Sequence, residues 1–381
     1  MTAATSTKLS RFIQATSIVY GPLTDLSPIV AASWTPPTNP GAGGHRGRYL
    51  WTDAFGLVNF LTLHRETHDP TYLVLARRLA GAVHETLGRA RTGGSDGGPA
   101  PRLLGATEAE PLAGGLRIGK EHADEDGQYH HYLTLWMFAL DRLANAVGGA
   151  DGEQYSRLAV QLARAIHPHF VLGTKDGPRR MVWKVSTDMR TVLVPSEGHL
   201  DAATGYVVYR LLQNTAVERL GWAAKGAQEA APPLAAEIED YHQLMSREGK
   251  LTASRDPLDL GMGLWMCHLF KGEEWARRLG DEGVRKAGSM LGPKGVMALE
   301  PSRRLAFREF GTCMGVQCYG ADEGLATEVD AVVNYWQKYL EESTDEDLRP
   351  ISLVMYAAAL IPGGMLWFLC FLHLRLIMGL C

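Results

Sequence analysis

The strongest constraint on this chain is an alternation. Helical periodicity runs through most of its length, and successive periodic segments switch between two characters. One set is apolar on every face and carries glycine: "WTDAFGLVNFLTL", "YHHYLTLWMFAL", "LDAATGYVVYRLL", "LDLGMGLWMCHLF", "AFREFGTCMGVQCY" and "ISLVMYAAALI". The other is amphipathic and charged: "YLVLARRLAGAVHETLGRAR", "YSRLAVQLARAI", "LAAEIEDYHQLMSRE" and "EEWARRLGDEGVRKAG". A helix that is apolar all round must be buried, and an amphipathic one covers it from outside. Six buried helices alternating with outer ones make a repeat of helical hairpins, which closes into an (α/α)6 toroid. The expected fold class is all-α, a single toroid domain over residues 1–381.

The spacing predicts helices over 47–65, 70–91, 128–147, 152–168, 200–218, 232–247, 257–270, 273–289, 306–319, 323–341, 350–361 and 364–379. Residues 1–46 read as an irregular N-terminal segment and 350–381 as the last apolar helix pair, so the sixth outer helix would be the nearly uncharged C-terminal piece. Extended segments at 169–174 and 180–186 suit a small β-hairpin around 169–186, turning at Lys175-Asp176-Gly177.

Composition excludes several classes. Lys+Arg 38 against Asp+Glu 42 gives a net charge of −4 with no basic stripe, which argues against a nucleic-acid partner. Five scattered cysteines make no disulfide framework, and the first residues lack a signal-peptide apolar region; a cytoplasmic setting is the expectation. The stretch from Ile351 to Leu374 has no formal charge, but Pro362-Gly363-Gly364 cuts it into two pieces too short to span a bilayer. Membrane contact by this tail is the alternative. No HExxH, CxxC or phosphate-loop spacing is present, so no metal or cofactor is expected.

Several buried helices begin with a polar residue followed closely by glycine: Asp53 before Gly56, Asp201 before Gly205, Asp259 before Gly261 and Gly263, Glu309 before Gly311. The second carries Tyr129, His130 and His131 at the same place, after the acidic "ADEDGQ". In a toroid these N-termini gather at one rim, where helix dipoles favour negative groups. The small residues would open room at a funnel floor, and the 93–127 and 169–199 loops would complete its walls. The plain reading beside this is that Asp53, Asp201 and Asp259 each cap a helix, and that "HADEDG" is a solvated turn.

Three blocks carry a resemblance: "RYLWTDAFGLVNFL" (48–61), "GLRIGK…DEDGQYHHYLTLW" (115–136) and "MVWKVSTDM…LVPSEGHLDAATGYV" (181–207). Together with the alternating hairpins they resemble the six-hairpin glycosidase-like (α/α)6 superfamily, and within it an uncharacterised subgroup. The resemblance implies carbohydrate chemistry on a small-molecule or oligosaccharide substrate, with acids at inner-helix starts and in the preceding loops doing the work.

Glycoside hydrolysis needs an acid at the leaving oxygen and a second carboxylate for water or the anomeric carbon. Asp126 is the expected general acid, with Asp53 or Asp201 as base. Trp51, Tyr129 and Trp183 offer faces for a sugar ring, and Arg117 and Lys184 could hold a uronate. His130, His131, Asp188, Glu197, His199 and Asp259 complete the expected substrate-binding set. Sugar epimerases of similar fold use paired histidines, but on later inner helices, where this chain offers only His268, read as a core residue, and His373. Epimerase chemistry therefore ranks second. A terpenoid-cyclase-like reading of "DEDG" and a non-catalytic binding scaffold follow.

Overall fold

The computed structural model describes residues 3–24, 26–39, 41–93, 98–173, 177, 179–220, 231–340 and 344–366. The expected turn residues Lys175 and Asp176, and the expected 364–379 helix beyond Leu366, lie outside the described residues.

Two helices come first, α1 (Ala3–Tyr20) and α2 (Pro28–Ser33). Five hairpins follow: α3 (Leu50–Thr67) with α4 (Thr71–Leu87), α5 (His130–Val147) with α6 (Gly149–Phe170), α7 (Asp201–Leu220) with α8 (Ala235–Met245), α9 (Pro257–Leu269) with α10 (Glu274–Leu291), and α11 (Ala306–Tyr319) with α12 (Glu323–Gln337). The last described helix is α13 (Arg349–Leu360). Helices α3, α5, α7, α9, α11 and α13 pack each on the next, and α13 returns to α3, closing the inner ring. All but the first turn or last turn of these helices is buried where the sequence is apolar throughout, as in α3 from Leu50 to Leu63.

The outer layer corrects the sequence reading at one place. Helices α4, α6, α8, α10 and α12 cover their hairpin partners, and the sixth outer position is taken by α1, packed on α13. Residues 1–46 are thus not irregular as a whole. Phe12, Ala15, Val19 and Tyr20 of α1 are buried, while Lys8 pairs with Asp330 at 2.8 Å and Arg11 bonds Tyr356 Oη and Asn334 Oδ1. Serine and threonine supply much of the polar face of α1, so its amphipathic period hides from a count of charges.

Glycines set how closely the inner helices approach. A Cβ on Gly261 would lie 2.0 Å from the Gly311 carbonyl oxygen, so α9 and α11 touch backbone to backbone. A Cβ on Gly56 would meet the Tyr20 hydroxyl at 1.9 Å. These glycines admit a neighbouring helix or ring rather than opening a funnel floor, which overturns that expectation for α3 and for Gly261.

Short strands finish the rim. They are β1 (Gln128–Tyr129), β2 (Val171–Leu172), β3 (Arg180–Met181), β4 (Lys184–Val185) and β5 (Val192–Val194). The expected hairpin is β2 against β3, with Val171 opposite Met181. Lys184 and Val185 belong instead to a second antiparallel sheet, ordered β1-β4-β5. Backbone bonds from His130 N to the Trp183 carbonyl and from Trp183 N to the Val194 carbonyl tie this sheet to the start of α5. Among the described residues, no helix is long and apolar enough to cross a membrane.

Candidate active site

At the inner-helix N-termini lies a cavity of about 130 Å³. Its walls come from Trp51 on α3, His131 and Leu135 on α5, Trp183 between β3 and β4, the segment Gly198–Asp201 with Thr204, and Leu258, Asp259, Met262, Gly263 and Trp265 of α9. It is mostly apolar, with two carboxyls and two imidazoles converging on it, the composition expected of a small-molecule site.

Asp201 is the first residue of α7 and 5% exposed. Burial, then the nearby Glu197, push its carboxyl up to about 7, and a backbone hydrogen bond from Gly198 only partly offsets this. Its Oδ2 has no hydrogen-bond partner among the described residues. Among the described residues no Lys or Arg pairs with it. A buried carboxyl that titrates near neutrality can both give and take a proton, the property general acid–base catalysis requires.

The two histidines of the cavity are held in opposite tautomers. The indole N–H of Trp183 donates to His131 Nδ1 at 2.8 Å. Burial pushes His131 down to about 3, so the ring is neutral and its proton sits on Nε2. His199 Nε2 lies 2.7 Å from the Thr252 carbonyl, which can only accept, so a proton sits on Nε2 and the tautomer this contact selects is the one with its lone pair on Nδ1. One ring offers a donor and the other an acceptor. Around them Tyr129, His131 and Trp183 stack with near-parallel planes, at 5.3 Å between Tyr129 and Trp183 and 5.6 Å between His131 and Trp183, and Trp51 meets His131 edge-on.

The other expected site residues lie elsewhere. Asp53 is neither a helix cap nor a cavity residue. It is the fourth residue of α3, fully buried, and its Oδ1 accepts from Arg48 Nη1 and from Tyr20 Oη, each at 3.0 Å. Arg48 in turn donates to the Pro37 carbonyl, so Asp53 fastens the N-terminal arm to the toroid. Asp126 accepts from Arg91, Arg117, Gly119 N and Gly127 N, at 2.9 to 3.0 Å. Four donors leave this carboxylate no oxygen with which to protonate a leaving group. Arg117 is spent on Asp126, the Arg89 and Thr86 carbonyls and His45.

Lys184 donates to the Glu125 carbonyl and sits 5.0 Å over the Tyr129 ring. Asp188 closes a turn with Ser186 Oγ and Arg190 N, and Glu197 pairs with Lys250. His130 is buried behind the cavity wall, and Tyr129 touches the site only through the stack. Six of the expected residues, Trp51, His131, Trp183, His199, Asp201 and Asp259, therefore line one cavity.

Sequence reasoning missed Leu135, Thr204, Met262 and Trp265, whose buried ring forms part of the wall, while Gly263 does border the cavity as expected. The signal was available in the helical register, because Leu135, Thr204 and Met262 stand one turn below His131, Asp201 and Asp259. Among the described residues, no group of three His, Cys, Asp or Glu side chains is placed to hold a metal ion.

Comparison with solved structures finds the same architecture in a sugar epimerase from a ruminal bacterium, with a TM-score of 0.50 at 11% identity, covering 82% of this chain and 87% of that one. A D-mannose isomerase aligns with a TM-score of 0.48 at 12% identity, covering 94% and 98%. No protein-family model and no curated protein matches the chain. At these identities the likeness is one of fold.

Proposed function

We propose that this protein is a sugar-processing enzyme that moves a proton at a carbon beside a carbonyl, as an epimerase or aldose–ketose isomerase. The observation that carries the reading is Asp201: a buried carboxyl with neither a Lys or Arg nor a partner for Oδ2 among the described residues, pushed up to about 7, in a cavity that also presents one donor and one acceptor imidazole. The sugar epimerase of like fold supports it. This reverses the ranking drawn from the sequence, because the hydrolytic trio Asp53, Asp126 and Asp201 is not assembled at one cavity.

Each group has a role in the proposed reaction. The open-chain sugar lies against the Trp51 and Trp183 faces. His199 Nδ1 removes the proton on the carbon next to the carbonyl, while the Nε2–H of His131 hydrogen-bonds the carbonyl oxygen as charge develops there. Asp201 returns a proton to the enediolate. Return to the same carbon from the opposite face re-forms the carbonyl and gives an epimer; return to the former carbonyl carbon, with the neighbouring hydroxyl proton passing to the former carbonyl oxygen, gives the isomer.

The test is a panel of free mono- and disaccharides incubated with the protein in D2O and followed by proton NMR. Deuterium entering at the carbon adjacent to the carbonyl, lost in Asp201→Asn, is the expected result. Asp201 and Asp259 are the two carboxyls of the cavity, so aryl glycosides belong in the same panel. Their cleavage without any deuterium exchange would replace proton transfer with hydrolysis.

A further inference from the structure

Directly behind Asp201 stands a second buried polar group. His130 is the first residue of α5 and fully buried, its ring clamped between Phe170 and Tyr241 at centroid distances of 5.5 and 5.6 Å. Its Nε2 lies 2.8 Å from the Tyr241 hydroxyl. Its Nδ1 has no hydrogen-bond partner among the described residues and lies 4.0 Å from Asp201 Oδ1. A buried ring nitrogen without a partner thus faces the Asp201 carboxyl across a gap slightly longer than a hydrogen bond. Buried polar groups without partners are costly, and such an exception calls for an explanation.

The proton positions follow from the chain of partners. Tyr209 Oη donates to the Ala163 carbonyl at 2.8 Å, so its proton is spent and it can only accept from Tyr241. The Tyr241 proton can therefore go to His130 Nε2 or to the Tyr209 oxygen. Only the first choice places the imidazole proton on Nδ1, where it points at Asp201. The second would set the Nδ1 lone pair against the lone pairs of an ionised carboxylate, which is repulsive. Hydrogen bonds of a catalytic group are often long in the empty enzyme and tighten when the substrate binds.

We infer that His130 is a positioning residue for Asp201: locked by the Tyr241 hydroxyl into the Nδ1–H tautomer, it donates to Oδ1 and leaves Oδ2 as the atom that exchanges a proton with the substrate. The inference rests on the acid–base role of Asp201. It assigns the working oxygen to that role and explains why the carboxyl can lose its proton with no Lys or Arg beside it among the described residues. The other titratable groups facing Asp201 are Glu197, held by Lys250, and His199 from the preceding segment, His131 from α5, Asp259 from α9 and Tyr241 from α8. Apart from the Gly198 backbone bond, an Nδ1–H on His130 is the contact in this set that favours the ionised form as a neutral donor.

The experiment is a titration of the full chain labelled with 13Cγ-aspartate, the Asp201 resonance being the one absent from Asp201→Asn. In His130→Leu the Asp201 midpoint moves up by about one unit, because a donor to the charged form is gone. His130→Gln, which restores a side-chain N–H, brings it back toward the wild-type value. Tyr241→Phe removes the lock while keeping the ring, and moves the midpoint in the same direction by less. The carboxyl limb of the rate–pH profile follows these shifts. An unchanged midpoint in His130→Leu, or a His130→Gln as displaced as His130→Leu, overturns the inference. Should His130→Leu not fold, an unchanged midpoint in Tyr241→Phe overturns it alone. A midpoint that follows His130 in a wild-type protein that exchanges deuterium with no sugar would instead sink the sugar reading and leave the His130–Asp201 coupling standing.

Discussion

Asp53 and Asp201 look alike in the sequence, each an acid at the front of an apolar helix with glycine a few residues on, and the fold gives them opposite surroundings. At the start of α3, Arg48 lies 3.0 Å from Asp53 with both side chains all but excluded from water. At the start of α7 no Lys or Arg among the described residues reaches Asp201, and its close charged neighbours, Glu197 and Asp259, are themselves acids. Both carboxyls are raised by burial, Asp53 to about 6 and Asp201 to about 7. Each carboxyl keeps one oxygen, Oδ2, without a partner among the described residues; the difference is that Asp53 is paired with a cation away from the cavity and serves cohesion, whereas Asp201 lines the cavity. The spare oxygen of Asp201 belongs to a cavity residue, and is available for chemistry.

Substitutions can break or sharpen this contrast. The largest effect on rate belongs to Asp201→Asn, which removes the acid–base group: sugar proton exchange falls by about 10²- to 10⁴-fold while the cooperative melt is retained. The largest effect on stability belongs to Arg48→Met, which strands the Asp53 carboxylate in the interior. A loss of about 3–5 kcal/mol in urea denaturation is expected. If Arg48→Met melted like the wild type, Asp53 would not be the structural half of the comparison.

A smaller effect is expected where the cavity wall rests on helix contact. Gly261→Ala puts a methyl against the Gly311 carbonyl, pushes α9 from α11 and costs about 1–3 kcal/mol, read as a lowered melting temperature. Trp183→Phe keeps the ring stack but removes the indole N–H that fixes His131. The expected result is about a tenfold loss of turnover with an unchanged melting temperature. A drop in stability without a drop in rate would make Trp183 a packing residue only.

The last effect is a slope. Asp201 titrates at about 7 in the folded chain against an ordinary 3.8, so the folded state holds a proton that the unfolded chain has released. Stability from this group is intact below pH 3.8 and is lost as pH rises toward 7. Melting temperatures of wild type and Asp201→Asn therefore diverge between those limits, with the asparagine variant gaining on the wild type at the alkaline end. Parallel curves across that range would show that Asp201 is an ordinary exposed carboxylate.

Much of the fold was legible locally. The expected helix 306–319 coincides with α11, 257–270 differs from α9 by one residue, and 200–218 differs from α7 by one and two. Burial is written as a period of 3.6 within each segment, and a reader needs only neighbours in sequence to see it. The rim location of His131, His199, Asp201 and Asp259 was legible for the same reason, since helix starts are local features. The role of α1 was hidden because Ser and Thr stand where charges would have marked an outer face.

What the sequence by itself determined is the alternation of buried and covering helices, hence the toroid, and the set of polar side chains delivered to one rim. Tertiary structure alone decided which of those side chains are spent. Tyr20 reaches Asp53 across 33 residues, Trp183 fixes His131 across 52, and Tyr241 meets His130 across 111. A carboxyl becomes a tie or an acid according to whether a cation and donors from other segments reach it or a cavity does, and helical periodicity carries no record of contacts made at that range.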